Sequence, residues 1–259
     1  PPKLDLSWPM KPDGPWDASK NVGQFIWDRV NPNANRWKAG IKLVHECLLR
    51  HKDDPALVTR DCEKLGVMYF TLLQDYPRAA FWLQKGAASV NRGSGIHLAE
   101  CYWRLGSRDM ALSAMRGKFL HVSAIKLLGD MGEVDDALKV TEVYAKTQAA
   151  NEAFLNAGDA LRRAGRLEEA IGYYQRVLDE DSAARNEDYK KRFMARAAGA
   201  IEAIKLFDRA DVARVADGRY RDSSTGYNGK LQVEVTVANH KIENVRVTNH
   251  QEKQFYAAL

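Results

Sequence analysis

Cysteine is scarce in this chain. Only Cys47, Cys62 and Cys101 occur in 259 residues, and no two are spaced C-x-x-C. The count excludes a disulfide-rich scaffold and the spacing excludes a cysteine-based zinc site, so the three read as small buried hydrophobes in helices. Long apolar runs are missing: none approaches the ~18–20 residues that span a bilayer, so no membrane span is expected. The six histidines, His45, His51, His97, His121, His240 and His250, include no H-x-x-x-H or H-E-x-x-H pair, which excludes a helical zinc site of that kind. His45 and Glu46 are adjacent and point to different faces. His250 and Glu252, two apart in a strand, share a face where they would act as acid and base, but a surface pair is the preferred reading. Phosphate loops of the form Gly-x-x-x-x-Gly-Lys-Ser/Thr and Gly-x-Ser-x-Gly elbows are absent too. No catalytic residue is assigned.

Charge of one sign is also lacking. The 39 basic residues are mixed among 34 acidic ones, for a net charge of +5. A nucleic-acid binder concentrates its charge on one stripe. The densest basic run here, Lys190–Arg192, is flanked by Glu187 and Asp188 and reads as a solvated helix face, so no nucleic-acid partner is expected. A hydrophobic content of 45% and a charged content of 28% are those of a globular protein, which excludes disorder of the whole chain.

Proline is concentrated at one end. Five of eight, Pro1, Pro2, Pro9, Pro12 and Pro15, lie in the first fifteen residues. Proline fixes φ and lacks a donor, so residues 1–17 are expected to be an extended arm pinned to the body by Trp8 and Trp16. Residues 18–207 have helical periodicity, broken at intervals that repeat. The clearest unit is 151–184, with Phe154, Ala157, Gly158, Leu161, Gly165, Ala170, Tyr174 and Val177. Gly158 and Ala170 are small where two helices cross, Gly165 fits the turn between them, and Tyr174 and Val177 fill the groove toward the next unit.

This unit resembles the tetratricopeptide repeat, a helix-turn-helix of about 34 residues. It departs from that family at Ala157, where leucine is usual, and at Ser182, where proline is usual. Weaker copies precede it. Gly132 and Ala137 lie thirty-three residues before Gly165 and Ala170; Leu98, Ala99, Tyr102, Gly106 and Ala111 form another copy, and Leu65, Gly66, Tyr69 and Ala79 or Ala80 a further one. The step from Ala111 to Ala137 is only twenty-six, so the third unit's second helix should be short. "GQFIWDRV" and "NRWKAGIKLVHECLLRHKDD" read as a divergent first pair, and 188–207, with Tyr189, Phe193, Ala197, Ile201 and Ile204 on one face, as a terminal cap. The expected fold is therefore mainly α: an α-solenoid of about five helix pairs with a capping helix, then a small β segment at 216–259. In the repeat family the first helix of each pair lines a concave groove. The resemblance implies that Asn156, Asp159, Arg162 and Arg163 line it in one unit, and His97, Glu100, Trp103 and Arg104 in an earlier one. Arginine forks bind carboxylates, so an extended or acidic peptide segment of another protein is the expected guest.

Alternation at Leu231, Val233, Val235 and Val237, and again at Val245 and Val247, marks strands with one buried face. Asn228-Gly229 is a strong turn signal and Asn239-His240 a weaker one. The pattern Gly218-x-Tyr220, Gly226-Tyr227-x-Gly229, an alternating strand and His250-Gln251-Glu252 is similar to the first half of the FMN-binding domain family. The resemblance implies a flavin carrier for electron transfer, with Gly218, Tyr220, Gly226, Tyr227, Gly229, His250 and Glu252 as its site, and an extracytoplasmic place. The opening "PPKLDLSWPM", without an initiator Met or a visible signal peptide, is expected of a processed or fragmentary chain and points the same way. Departures are His240 for glycine and Lys253 for threonine, and the family's Ser-Gly-Ala-Thr-x-Thr motif does not occur, so FMN is expected only in a longer parent protein. Two functions stay open: a scaffold binding a partner in the groove, and a flavin carrier docked by the helices. A third reading makes the β segment a lid on the cap helix.

Overall fold

The computed structural model describes residues 26–117, 119–179, 187–207, 209–226 and 229–251, except the side chains at 27, 28 and 225. The proline-rich arm, Ser182, Tyr227, Asn228 and Glu252 lie outside the described residues. The chain divides into two compact units between His121 and Val122.

In the first unit a π-helical turn, Ile26–Val30, precedes α1 (Trp37–Arg50), α2 (Pro55–Leu73), α3 (Tyr76–Lys85), α4 (Gly93–Arg104) and α5 (Arg108–Ala114). The starts are written in the sequence. Asp54 accepts the amides of Ala56 and Leu57 at 3.0 and 3.1 Å, with Pro55 next to it at the head of α2. Asp75 accepts the amide of Arg78 at 3.1 Å and caps α3. Each cap satisfies orphan donors of the first turn. Ile26 and Val30 pack with Ile41, Leu43 and Val44 of α1 against Leu65, Met68 and Leu72 of α2, so the divergent first pair exists, with one member reduced to a single turn. Cys62 and Cys101 are buried and Cys47 is half-buried, all as free thiols, as the sequence reading expects. Burial pushes the Cys101 thiol up to about 12, so it stays protonated.

The second unit holds α6 (Ala124–Asp130), α7 (Val134–Tyr144), α8 (Ala150–Arg163), α9 (Leu167–Asp179) and α10 (Glu187–Phe207), then β1 (Gly218–Thr225), β2 (Lys230–Ala238) and β3 (Lys241–Asn249). Three helix pairs, α4/α5, α6/α7 and α8/α9, turn on Gly106, Gly132 and Gly165, with φ of +88°, +82° and +76°. In each, the residue after glycine donates its amide five residues back: Ser107 to Tyr102, Glu133 to Leu128, Arg166 to Leu161. This is the Schellman ending, which needs a left-handed residue. The shortened step in the repeat appears as two seven-residue helices, α5 and α6. The cap expected at 188–207 is α10. Its Ala197 and Ile201 are buried, and Phe193 and Ile204 pack against the core of α8 and α9.

The sheet is an antiparallel meander in the order β1-β2-β3. The weak turn Asn239-His240 is real, with φ of 52° and 58°. Its stabiliser is distant in sequence: Asp217 accepts the amides of Asn239 at 3.0 Å and His240 at 3.3 Å. Those two bonds hold the Asp217 carboxyl below its usual range. The expected buried apolar face is only partly formed. Val237 is buried, yet Tyr220, Ile242, Val245 and Val247 are 44–57% exposed. A three-stranded sheet needs a cover from elsewhere, and among the described residues the short turn Val212–Arg214 lies against β3 without burying these side chains.

Within α8 and α9 the tightest contact is at Gly158. A β-carbon on Gly158 would lie 2.5 Å from Tyr174 Cε1, and the Tyr174 ring is fully buried. Gly158→Ala is expected to destabilise the second unit by about 1–3 kcal/mol in urea unfolding, because the ring has nowhere to move. Gly172, exposed within α9 with nothing within 4 Å of where a β-carbon would stand, is the control. Gly172→Ala is expected to gain roughly 0.5–1 kcal/mol.

Candidate functional site

The site begins with small residues. Gly129 of α6 faces Ala160 of α8 so closely that a β-carbon on Gly129 would meet the Ala160 methyl at 2.5 Å. With this floor, the longer side chains around it become walls. They enclose an open cavity of about 440 Å³ lined by Lys126, Gly129, Asp130, Asn156, Asp159, Ala160, Arg162 and Arg163. The buried stripe of α8, Phe154, Ala157, Gly158 and Leu161, faces the core. Asn156, Asp159, Ala160 and Arg163 recur at three-to-four spacing on another face, as neighbours on a helix surface do.

Both carboxylates of the cavity are held. Asp130 lies 2.5 Å from Lys126 Nζ and accepts from Arg163 Nη1 at 3.0 Å. Asp159 accepts from the Tyr174 hydroxyl at 2.7 Å and from Arg196 of α10 at 3.0 Å. Burial, and then the bond to Asp159, pushes the Tyr174 phenol far above its ordinary range, so it acts as a neutral donor. Arg162 makes no ion pair among the described residues; its guanidinium meets the Tyr174 hydroxyl. Three cationic side chains, Lys126, Arg162 and Arg163, thus line the cavity with two carboxylates, and it carries positive excess. It suits a carboxylate guest, which arginine binds in a planar fork.

Asn156, Asp159, Arg162 and Arg163 of the repeat reading all line this cavity. Lys126, Asp130 and Arg196 were not in that reading, and Tyr174 was in it only as a packing residue. Two of the three were in reach of it: Lys126 and Asp130 lie thirty-three residues before Asp159 and Arg163, one repeat back. The other expected groove residues sit on α4 in the first unit and form a cluster of their own. Arg104 bonds Glu100 at 3.0 Å and lies 4.8 Å from the centre of the Trp103 ring. His97 stacks on Phe70 with ring centroids 4.3 Å apart. Burial, with a like-charge contribution from His121, pulls the His97 imidazole down to about 4, so it is neutral at pH 7.

Of the flavin-resemblance positions that are described, Gly226, Gly229 and His250 lie at one end of the sheet, and Gly218 and Tyr220 toward the other. Gly218 and Tyr220 lie near one end of β1, while Gly226, whose amide bonds the Gly229 carbonyl at 2.7 Å, follows the other end. Tyr220 donates to the carbonyl of Ala216 at 2.7 Å. His250 is exposed just past β3. Among the described residues no cluster of three or more metal-ligating side chains occurs, and no helix is long and apolar enough to cross a membrane.

Comparison with known families supports the helical reading. The tetratricopeptide repeat family profile matches residues 152–182, which covers nearly all of α8 and all of α9. The chain is thus of tetratricopeptide-repeat type in this segment. No curated protein and no solved structure matches the chain.

Two outcomes follow from this geometry. Tyr174→Phe removes one donor from Asp159 while leaving Arg196 in place, and is expected to cost about 1 kcal/mol of stability. His97 has a folded-state value below its unfolded 6.5, so its contribution is complete above pH 6.5 and is lost as pH falls toward 4. The first unit should lose about 2 kcal/mol between pH 7.5 and 5 on this account. His97→Gln should flatten that limb in urea midpoints measured across the range.

Proposed function

We propose that the protein is an interaction scaffold that holds an acidic segment of a partner protein in the groove between α6 and α8. A tetratricopeptide repeat is a protein-interaction unit, and the family match falls on the helices that build one wall. The observation that carries the proposal is the excess of cations over a small-residue floor, with Arg162 and Arg163 at its rim. The proposal is confined to the second unit; on α4, in the first, Glu100 and Arg104 pair with each other.

The flavin-carrying alternative rests on sequence resemblance. It requires a yellow full-length protein after purification, and a colourless one removes it.

Titration with fluorescein-labelled hexaglutamate and its hexaglutamine counterpart tests the scaffold reading. The acidic peptide is expected to bind and to weaken as salt rises, because exposed charge attraction is screened. Arg163→Gln should weaken it roughly tenfold, the size of one charged hydrogen bond. Equal binding of both peptides, or none by the acidic one, would overturn the proposal.

A further inference from the structure

A second, apolar cleft adjoins the groove. It encloses about 290 Å³ between the α8–α9 turn and the last turn of α10, and is lined by Leu167, Ala203, Ile204 and Phe207 with Gly165 and the stems of Arg162 and Arg163. The two arginines line both cavities. They are consecutive on α8, and consecutive helical side chains point about 100° apart, so the pair can stand between a polar and an apolar compartment. Gly165 contributes no side chain, and nothing lies within 4 Å of where one would begin. Phe207 closes the far side and is 76% exposed. A large aromatic left open at a helix end, beside an apolar cleft, is a surface that gains from being covered.

We propose that the partner segment recognised here presents a bulky apolar side chain next to its carboxylate, the apolar group in the cleft against Phe207 and the carboxylate at Arg162 and Arg163. This rests on the groove reading above and narrows its ligand. Charge complementarity chooses the occupant. Both acids of the groove already have cationic partners, the cleft is lined by no acid, and Arg162 has no ion pair among the described residues. A purely acidic segment would leave the cleft wet, and a purely apolar one would bury two guanidinium groups against nothing that answers them.

The test compares two labelled peptides, one of alternating glutamate and phenylalanine, the other with alanine in place of phenylalanine. The phenylalanine peptide is expected to bind about tenfold tighter, the size of burying one such side chain. Phe207→Ser, at an exposed position, should abolish that advantage while both peptides still bind. Ala203→Tyr, which plugs the cleft from an exposed position, should do the same. If phenylalanine gives no advantage, or the advantage survives in both variants, the inference is overturned while the groove reading stands. If neither peptide binds, the groove reading fails with it. A dimer in sedimentation that is lost on Phe207→Ser would name a second copy as the occupant and overturn the inference.

Discussion

The contact of the Tyr174 ring with the bare backbone of Gly158 is the constraint on which the second unit turns. It lets α8 and α9 close to the distance at which Phe154, Leu161, Ala170 and Val177 share one core. It also fixes where the phenol ends. With the ring on Gly158, the hydroxyl arrives beside Asp159, the next residue and a wall of the groove. A packing requirement of the repeat thus becomes a polar feature of the candidate site. The Asp159 carboxylate is turned toward Tyr174 and Arg196, and Arg162 is left without an acid of its own among the described residues.

Outside that contact, one pattern of charge recurs at about the repeat period. Asp130 meets Arg163, Asp159 meets Arg196, Glu142 meets Arg176 at 2.8 Å, and Asp135 meets Arg166 at 3.3 Å. In every case the acid lies upstream and the arginine one unit downstream. Singly, such exposed pairs contribute little stability. As a set they favour one register of each helix pair on the next, because a shift along the stack parts acid from arginine throughout. Arg176 adds packing, with its guanidinium 3.9 Å from the centre of the Phe154 ring. The polarity of this ladder also explains the groove's cationic excess. Each unit uses its acids to hold the next unit's arginines, and Arg162 stands outside the ladder.

Legibility in the sequence followed the range of the interaction. The turns at Gly106, Gly132 and Gly165 were visible because a left-handed turn residue is chosen locally. The short α5 was visible because a missing seven residues shifts every later landmark. Half of the groove was visible, since α8 is the best-formed repeat. Lys126 and Asp130 were hidden because α6 has only seven residues and keeps few of the repeat's marks, although the thirty-three-residue step points to both. Asp217 was not visible as the anchor of the Asn239-His240 turn, since it acts across twenty-two residues. The flavin pattern shows the opposite difficulty. Glycines and tyrosines at turn and strand positions meet local needs, as Tyr220 does by bonding Ala216, so their spacing alone does not single out a site.

The sheet shows why polar contacts can specify what apolar ones leave open. On its apolar face Val233 opposes Val247 and Val235 opposes Val245. A slip of two residues keeps one valine pair and sets the other valine against Glu243 or Asn249, and the side chains of β3 on this face remain half exposed. The other face differs. Arg221, Glu234 and Arg246 lie in line across all three strands, with Glu234 bonded to Arg221 at 2.6 Å and to Arg246 at 3.1 Å. The bond from Arg221, and then the charges of both arginines, hold the Glu234 carboxyl below its usual range, so it stays ionised at neutral pH. A two-residue slip of β3 sets Asn244 or Thr248 against Glu234 in place of Arg246, and a one-residue slip turns the strand's charged residue to the wrong face. The pairing of β3 on β2 is therefore marked by one carboxylate and its guanidinium partner, while the valine face is left free to face whatever covers it.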